Sequence, residues 1–383
     1  MSAQELSSGL ATGSATSGPR QAFGDTRNAF QLGLFGMNCE GGLAVTRAPE
    51  RWRATWENNV TAARLAEQAG LDFLLPIARW HGYRGASNAQ GSSFETMAWA
   101  AGLLGATERI TLFSTIHVPF INPVFAAKQA VTIQAIGGGR YGLNIVAGGN
   151  QPEFEMFGVE LLEHDARYAY AQEWISTVKR IWAEHEPFDL DGTFFQLKGV
   201  ELEPKPQGGK RPIILSAGSS GAGRAFAMAN ADSLFMNIIA LETLAAELEG
   251  LRAGSAERQR VFASGHVICR ATAKEAAEYH NYIVHEQGDW AAVDHILAIR
   301  KHQKSIPMDK LVKMKERLIG GIGTWPIIGG PDEVVEQFAI LHRAGIDGMA
   351  LGFVDYISEL PFFRDEVLPR MERAGLRFGA PKL

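Results

Sequence analysis

The polar residue Asn144 lies within an apolar, partly β-branched run over 141–147. Such a run predicts a strand buried on both faces, where an amide side chain needs a hydrogen-bonding partner. Gly148 and Gly149 end the run, and a charged loop with Glu153 follows. A polar side chain inside a buried strand, followed by a charged loop at its carboxyl end, is how α/β enzymes build active sites. We therefore expect Asn144 and Glu153 to belong to such a site.

Two further predicted strands also carry polar residues. Thr115 and His117 occur in the run over 110–118, two positions apart, and so point to the same side of the strand. His266 occurs in the run over 261–269. Each histidine is either a substrate contact or proton donor, or a core residue satisfied by its neighbours. Thr115 has the same two interpretations, as a pocket contact or as structural packing.

Gly218, Ser219 and Ser220 follow the predicted fifth strand and open a helix. Exposed amide groups, the helix dipole and two hydroxyls suit a phosphate group, whose charge Arg167 would help to neutralise. The alternative is that Ser219 or Ser220 only caps the helix.

Gly137, Gly139 and Gly142 match the spacing of a dinucleotide-binding fingerprint. That fingerprint follows a strand and opens a helix, whereas these glycines precede a strand. The sequence therefore argues against a Rossmann nucleotide site here. Glu155, Glu163 and His164 likewise form no convincing metal triad, so no metal site is expected.

The composition excludes several classes of protein. A net charge of −5 gives no reason to expect nucleic acid or an anionic membrane as partner. Two cysteines are too few for a disulfide framework or a cysteine-based metal site. No apolar stretch approaches the roughly 18 to 20 residues that span a bilayer. We expect a cytoplasmic protein whose first 29 residues are a flexible tail.

Strand-like and helix-like segments alternate along the rest of the chain. Eight such repeats predict an α/β fold, a TIM (β/α)8 barrel formed as a single domain over 30–383. Two segments do not follow this alternation of strands and helices. An Asp191-Gly192 turn predicts a β-hairpin in an insertion over about 186–210, and 286–325 is expected to be irregular and a candidate lid. The predicted strands are 30–37, 73–78, 110–118, 141–147, 212–217, 233–237, 261–269 and 348–353.

Several motifs, in order, resemble those of the bacterial luciferase-like flavin-dependent monooxygenases. They include the run over 138–146, Pro152-Glu153-Phe154, the run over 164–168 and the Gly-Gly-Pro sequence at 329–331. The resemblance covers about residues 30–375. It is strongest to the branch that holds the pyrimidine, dimethylsulfone and alkanesulfonate monooxygenases.

The resemblance implies FMN as cofactor and dioxygen as co-substrate. It places dioxygen beside Thr115 and Asn144. An arginine that contacts sulfonate in alkanesulfonate monooxygenase is Ser264 here, which argues against a simple alkanesulfonate as substrate. The positions that it assigns to FMN, with the phosphate loop, are Ile77, Ala78, Asn144, Glu153, Arg167, Tyr168, Gly218, Ser219 and Ser220.

By the same resemblance, the protein is expected to be a two-component enzyme. A separate NAD(P)H-dependent flavin reductase would supply FMNH2, and a flavin (hydro)peroxide would oxygenate a small polar sulfone, sulfonate or heterocyclic amide, with C–S or C–N cleavage. A homodimer or homotetramer is expected. The alternatives are an F420-dependent oxidoreductase of the same fold and a non-catalytic flavin-binding protein.

Overall fold

The computed structural model describes residues 23, 27–218, 220–253, 258–299 and 308–378, without the side chains of 308 and 309. Most of the predicted tail lies outside these residues. The described strands are β1 (Gln31–Phe35), β2 (Phe73–Leu75), β3 (Thr111–His117), β4 (Tyr141–Val146), β5 (Phe188–Asp191), β6 (Gln196–Val200), β7 (Ile213–Ala217), β8 (Ser233–Met236), β9 (Arg260–Cys269), β10 (Trp325–Gly329) and β11 (Gly348–Gly352).

Helices follow most of the strands and cover the outside of the sheet. Short π-helical segments at Tyr282–Glu286 and Phe363–Val367 extend two of them. The described α-helices are α1 (Trp56–Gln68), α2 (Thr96–Ala106), α3 (Pro123–Ile136), α4 (Gln151–Phe157), α5 (His164–Ala183), α6 (Gly221–Asn230), α7 (Leu241–Arg252), α8 (Ala273–Asn281), α9 (Trp290–Ile299), α10 (Met308–Gly321), α11 (Pro331–Arg343), α12 (Tyr356–Phe362) and α13 (Leu368–Arg373).

The predicted TIM barrel is confirmed. Strands β1, β2, β3, β4, β7, β8, β9 and β11 pair in parallel, and β11 pairs with both β1 and β9 to close the ring. Parallel closure places the carboxyl ends of all eight strands at one rim, where barrel enzymes carry their active sites. In the register of β3 and β4, Thr115 lies directly beside Asn144.

Aromatic rings fill the amino-terminal half of the barrel interior. Phe73, Phe113 and Phe262 are buried there, and Phe23 packs on all three with ring centroids 4.8–5.3 Å apart. Phe23 falls within the segment predicted as a flexible tail, yet its side chain is only 7% exposed. This packing fills the barrel interior at its amino-terminal end, where a second cavity is lined by Phe23 and by the starts of β7, β8 and β9.

The first insertion forms the predicted β-hairpin, because β5 and β6 pair antiparallel. Its turn is fixed by Glu173 of α5, whose carboxylate accepts hydrogen bonds from the amide groups of Thr193, Phe194 and Phe195 at 2.8–3.2 Å.

The prediction of an irregular segment over 286–325 is wrong for the residues that are described. They form α9, α10 and the start of β10, a strand that the sequence analysis missed. Ala292, Val293, Ile296 and Leu297 of α9 recur at helical spacing and are buried in a second hydrophobic cluster. In α10, Leu311, Met314, Leu318 and Ile319 recur at the same spacing and pack in this cluster. Residues 300–307, part of the candidate lid, lie outside the described residues.

Arg140 ties the α2–β3 connection to the turn before β4. Its side chain is buried, and its guanidinium donates hydrogen bonds to the carbonyl oxygens of Leu104 (3.1 Å), Thr107 (2.9 Å) and Ile110 (2.8 Å). Two of these carbonyls lie at or just beyond the end of a helix, where no intrahelical donor remains. One buried cation thus satisfies three backbone acceptors.

We predict that Arg140→Met lowers the free energy of unfolding by about 3 kcal/mol, because buried carbonyl groups lose their donors. Urea unfolding followed by circular dichroism measures the change. The control is Arg64→Met, since Arg64 is exposed and makes one 3.3 Å bond to the carbonyl of Ala106 at the end of the same helix. It should change stability by less than about 0.5 kcal/mol. Equal effects of the two substitutions would contradict this account.

Candidate active site

A cavity of about 410 Å³ opens at the carboxyl-end rim of the barrel. It lies over the ends of β2, β3, β4 and β7, with α4, α5 and α9 at its sides. The structure thus brings together seven residues that the sequence analysis assigned to one site: Ile77, Ala78, Thr115, His117, Asn144, Glu153 and Tyr168.

A directed chain of hydrogen bonds crosses the floor of the cavity. The Thr115 hydroxyl lies 2.6 Å from the carbonyl oxygen of Pro76, which can only accept, so the hydroxyl proton points there. The Thr115 oxygen must then accept from the Asn144 Nδ2 at 3.0 Å. This fixes the amide orientation, and it leaves the buried Asn144 Oδ1 without a hydrogen-bond partner among the described residues. An acceptor of this kind is costly unless a ligand satisfies it.

His117 is a neutral imidazole beside that chain. Burial lowers its pKa to about 4, with Glu153 opposing the shift and Arg79 adding to it. Its Nδ1 is buried and has no hydrogen-bond partner in the described part of the chain, and its ring makes an edge contact with Phe120 at 5.2 Å. At neutral pH the side chain therefore offers one donor and one acceptor and carries no charge.

Glu153 is buried and forms an ion pair with Arg79, with Oε1 and Nη1 3.1 Å apart. The same carboxylate oxygen accepts from the amide groups of Trp80 (2.9 Å) and His81 (3.4 Å). Sequence reasoning did not single out Arg79 as a site residue. Its position directly after the predicted second strand, in a polar and aromatic loop, was the available signal.

The residues assigned to a phosphate lie at the start of α6. Ser220 caps this helix, and its hydroxyl accepts from the amide of Gly223 at 3.1 Å. A Cβ on Gly218 would lie 2.5 Å from the Gly223 carbonyl carbon, so the strand–helix turn requires glycine there. Tyr168 Oη lies 3.4 Å from the Ser220 hydroxyl. Ser219 lies outside the described residues.

Arg167 lies between this turn and the end of β4. Its Nη1 donates to the carbonyl oxygen of Gly148 at 2.5 Å, while its buried Nε has no hydrogen-bond partner among the residues that the structure describes. Gly149 brings the backbone close to this guanidinium, since a Cβ there would lie 3.1 Å from Nη1. The arginine is thus fixed beside the cavity with hydrogen-bonding capacity still open.

The structure places His266 apart from the other predicted site residues. It is buried behind α10, where a Cβ on Gly320 would lie 3.0 Å from its Nε2, and it is not among the described residues that line the cavity. Thr324 donates its proton to the Gly321 carbonyl at 2.8 Å, so His266 must donate from Nδ1 to the Thr324 oxygen at 3.0 Å.

Apolar side chains complete the cavity, and sequence reasoning missed them. Phe35 at the end of β1 and Phe235 on β8 make an edge contact at 5.4 Å. Ile296 and Ile299 of α9 also line the cavity. Nothing local marks these residues, because facing the cavity depends on the barrel and on where the second insertion folds.

Burial of His266 makes a testable contribution to stability. Burial lowers its pKa to about 3. The unfolded chain, with an ordinary histidine pKa of about 6.5, takes up a proton first as the pH falls. The stabilisation is therefore complete above about pH 6.5 and decreases as the pH falls toward the folded-state value.

We predict that the free energy of unfolding of the wild type falls by about 2 kcal/mol more than that of His266→Gln between pH 7 and 4.5. Urea titrations at several pH values measure this difference. The exposed His185, changed to Gln, is the control and should leave the pH profile unchanged. Parallel profiles of the wild type and His266→Gln would contradict the buried neutral state.

Within the described residues, no helix is long and apolar enough to cross a bilayer. These residues also contain no group of three or more His, Cys, Asp or Glu side chains placed to hold a metal ion.

Comparison with known proteins gives one consistent result. The model of the family Luciferase-like monooxygenase matches residues 31–348. The chain is 30% identical to the FMNH2-dependent dimethylsulfone monooxygenase of Pseudomonas fluorescens (strain Pf0-1), over 90% of this chain and 95% of that protein.

Two further proteins extend the comparison. The chain is 29% identical to a pyrimidine monooxygenase of Methylobacterium radiotolerans, over 90% of this chain and 92% of that protein. The crystal structure of DmoA from Hyphomicrobium sulfonivorans has the same fold, with a TM-score of 0.81 and 18% identity over 93% of this chain and 90% of that one. With the barrel and its rim cavity, the family match over residues 31–348 shows that the chain belongs to the luciferase-like monooxygenases.

Proposed function

We propose that this monooxygenase is a two-component enzyme that uses FMNH2 and O2 to oxygenate a small polar organosulfur compound or heterocyclic amide, with cleavage of a C–S or C–N bond. The observation that carries the proposal is the orientation of Asn144. Its amide donates to the Thr115 hydroxyl, which in turn donates to the Pro76 carbonyl, and its Oδ1 is a buried acceptor with no partner among the described residues. Two relatives named FMNH2-dependent dimethylsulfone monooxygenase support the choice of cofactor and substrate class.

The residues of the cavity fit a reduced flavin. A tricyclic ring with polar edges needs apolar walls, a few acceptors and donors that are not already paired, and backbone that allows close approach. Phe35 and Phe235 supply apolar surface, and Asn144 Oδ1 supplies the unpaired acceptor. Gly148 and Gly149, which have no side chains, allow the ring to approach the backbone after β4. We propose that Ile77, Ala78 and the free Oε2 of Glu153 also contact the ring.

We propose that the cofactor phosphate binds at the start of α6. The amide groups there, with the Ser220 hydroxyl, lie near Tyr168, whose side chain lines the cavity. Arg167 carries the compensating charge and an unsatisfied Nε. Gly218 and Ser219 would complete this loop.

Reduced flavin supplies the electrons that activate dioxygen. The residues of the cavity hold dioxygen in position and exclude water from it. Since the Thr115 proton is committed to the Pro76 carbonyl, the donor left for dioxygen is the second hydrogen on Asn144 Nδ2. Thr115 thereby holds the amide beside the oxygen-binding position. Phe35, Phe235 and Ile296 exclude water from it. His117, being neutral, can donate one hydrogen bond to the substrate or return a proton to it.

We also propose that an NAD(P)H-dependent flavin reductase supplies the FMNH2, that the enzyme acts in the cytoplasm, and that it forms a homodimer or homotetramer. His266 lies behind α10 and would act through the packing of that helix rather than by touching the substrate.

Anaerobic titration with FMNH2 and, separately, with reduced F420, followed by admission of O2, tests the proposal. Binding of FMNH2 and rapid oxygen consumption that depends on it are the expected results, with dimethyl sulfone and uracil as the first substrates tried. Binding of reduced F420 alone, without any reaction with oxygen, would instead indicate the F420-dependent alternative. Flavin binding without oxygen consumption for any substrate would indicate a non-catalytic protein.

We predict that Asn144→Ala reduces kcat/KM for oxygenation by about 100-fold or more, the usual effect of removing a preorganised polar group from a reacting centre. Steady-state oxygen uptake measures the loss, and the far-ultraviolet circular dichroism spectrum should be unchanged. Asn58→Ala on α1, outside the cavity lining, is the matched control and should keep full activity. Wild-type turnover by the Asn144 variant would remove this residue from the reaction.

A further inference from the structure

The ion pair between Arg79 and Glu153 lies within the cavity wall rather than on the protein surface. Both residues line the cavity, and their side chains are 15% and 1% exposed. Such a pair is not explained by stability, because removing two charges from water costs about as much as their attraction returns. Its position suggests a role in what the cavity binds.

Both partners are held in fixed positions. Glu153 Oε1 also accepts from the amide groups of Trp80 and His81, which fixes the carboxylate against the loop after β2. Arg79 Nε donates to Gln90 Oε1 at 3.2 Å, and the guanidinium lies 4.9 Å from the centre of the Tyr83 ring. The charges therefore cannot separate without breaking several contacts.

One hydrogen-bond donor of the ion pair, Arg79 Nη2, remains available to a ligand. Arg79 Nη1 is used by Glu153 and Nε by Gln90, whereas Nη2 donates to none of the described residues. Among the described residues that line the cavity, Arg79 and Glu153 are the two that carry a charge at neutral pH, and they cancel each other. The cavity thus contains an arginine hydrogen-bond donor but no net positive charge from its lining.

We propose that the Arg79–Glu153 pair determines substrate specificity, with Arg79 Nη2 donating to an oxygen atom of an uncharged substrate while Glu153 cancels the arginine charge. This rests on the proposed function and narrows it. A sulfone or cyclic amide gains a charge-assisted hydrogen bond. A sulfonate or carboxylate would lose its hydration and meet a neutralised site, so it is rejected.

Glu153→Gln tests the charge alone. Glutamine keeps the length of the side chain and an oxygen that accepts from the Trp80 and His81 amide groups, so the loop is retained. The matched control is Glu155→Gln, the same change of charge two residues along α4, at an exposed position. Arg79→Met removes the donor, and the double variant removes both members of the pair.

The probes are dimethyl sulfone and methanesulfonate, which differ by a methyl group in place of a charged oxygen. Their dissociation constants for the FMN-loaded protein are measured by isothermal titration calorimetry without oxygen, so no turnover is needed. Glu153→Gln should bind methanesulfonate about tenfold more tightly than the wild type does, and Glu155→Gln should not. Arg79→Met should weaken dimethyl sulfone binding about tenfold, and the double variant should lose the gain for methanesulfonate.

An unchanged affinity of Glu153→Gln for methanesulfonate would overturn the inference, and so would a gain that persists in the double variant. These outcomes are separable from failure of the proposed function. A charge-dependent change in binding with no flavin-dependent oxygen consumption contradicts only the monooxygenase mechanism. Full oxygenation without the charge-dependent change contradicts only the role of the ion pair.

Discussion

Closure of eight parallel strands into a ring is the constraint on which the site depends. Because every strand runs in the same direction, residues at the ends of β2, β3 and β4 meet at one rim although they are distant in sequence. The register then sets Thr115 beside Asn144, and the Pro76 carbonyl completes the chain of hydrogen bonds. Aromatic packing, including Phe23, fills the barrel interior at the opposite end.

Some buried polar groups of this barrel have hydrogen-bond partners among the described residues, and others do not. Arg140 is of the first kind, because its guanidinium donates hydrogen bonds to three backbone carbonyl groups and does not line the cavity. Asn144 Oδ1 and His117 Nδ1 are of the second kind, since both are buried without a partner among the described residues. Both side chains line the same cavity, where a bound ligand can supply the missing hydrogen bonds.

The second insertion supplies part of the cavity lining. Ile296 and Ile299 of α9 form one wall of the cavity, while α10 packs over His266 and leads into β10. β10 pairs with the carboxyl half of β9, so the insertion is joined to the sheet itself. An apolar wall at this place lowers the local dielectric constant, which strengthens the polar contacts made on the other side of the cavity.

The sequence by itself determined the repeat of strands and helices, and with it the barrel and the rim that carries Asn144, Thr115 and Glu153. Hydrophobic period and strand-end polarity are local signals, and they were sufficient for that. Only the tertiary structure decided that Glu153 pairs with Arg79, that His266 lies outside the cavity, and that Phe35, Phe235 and Ile296 enclose it. These facts depend on contacts between distant segments, whose geometry is set by closure of the barrel and not by any local run of residues.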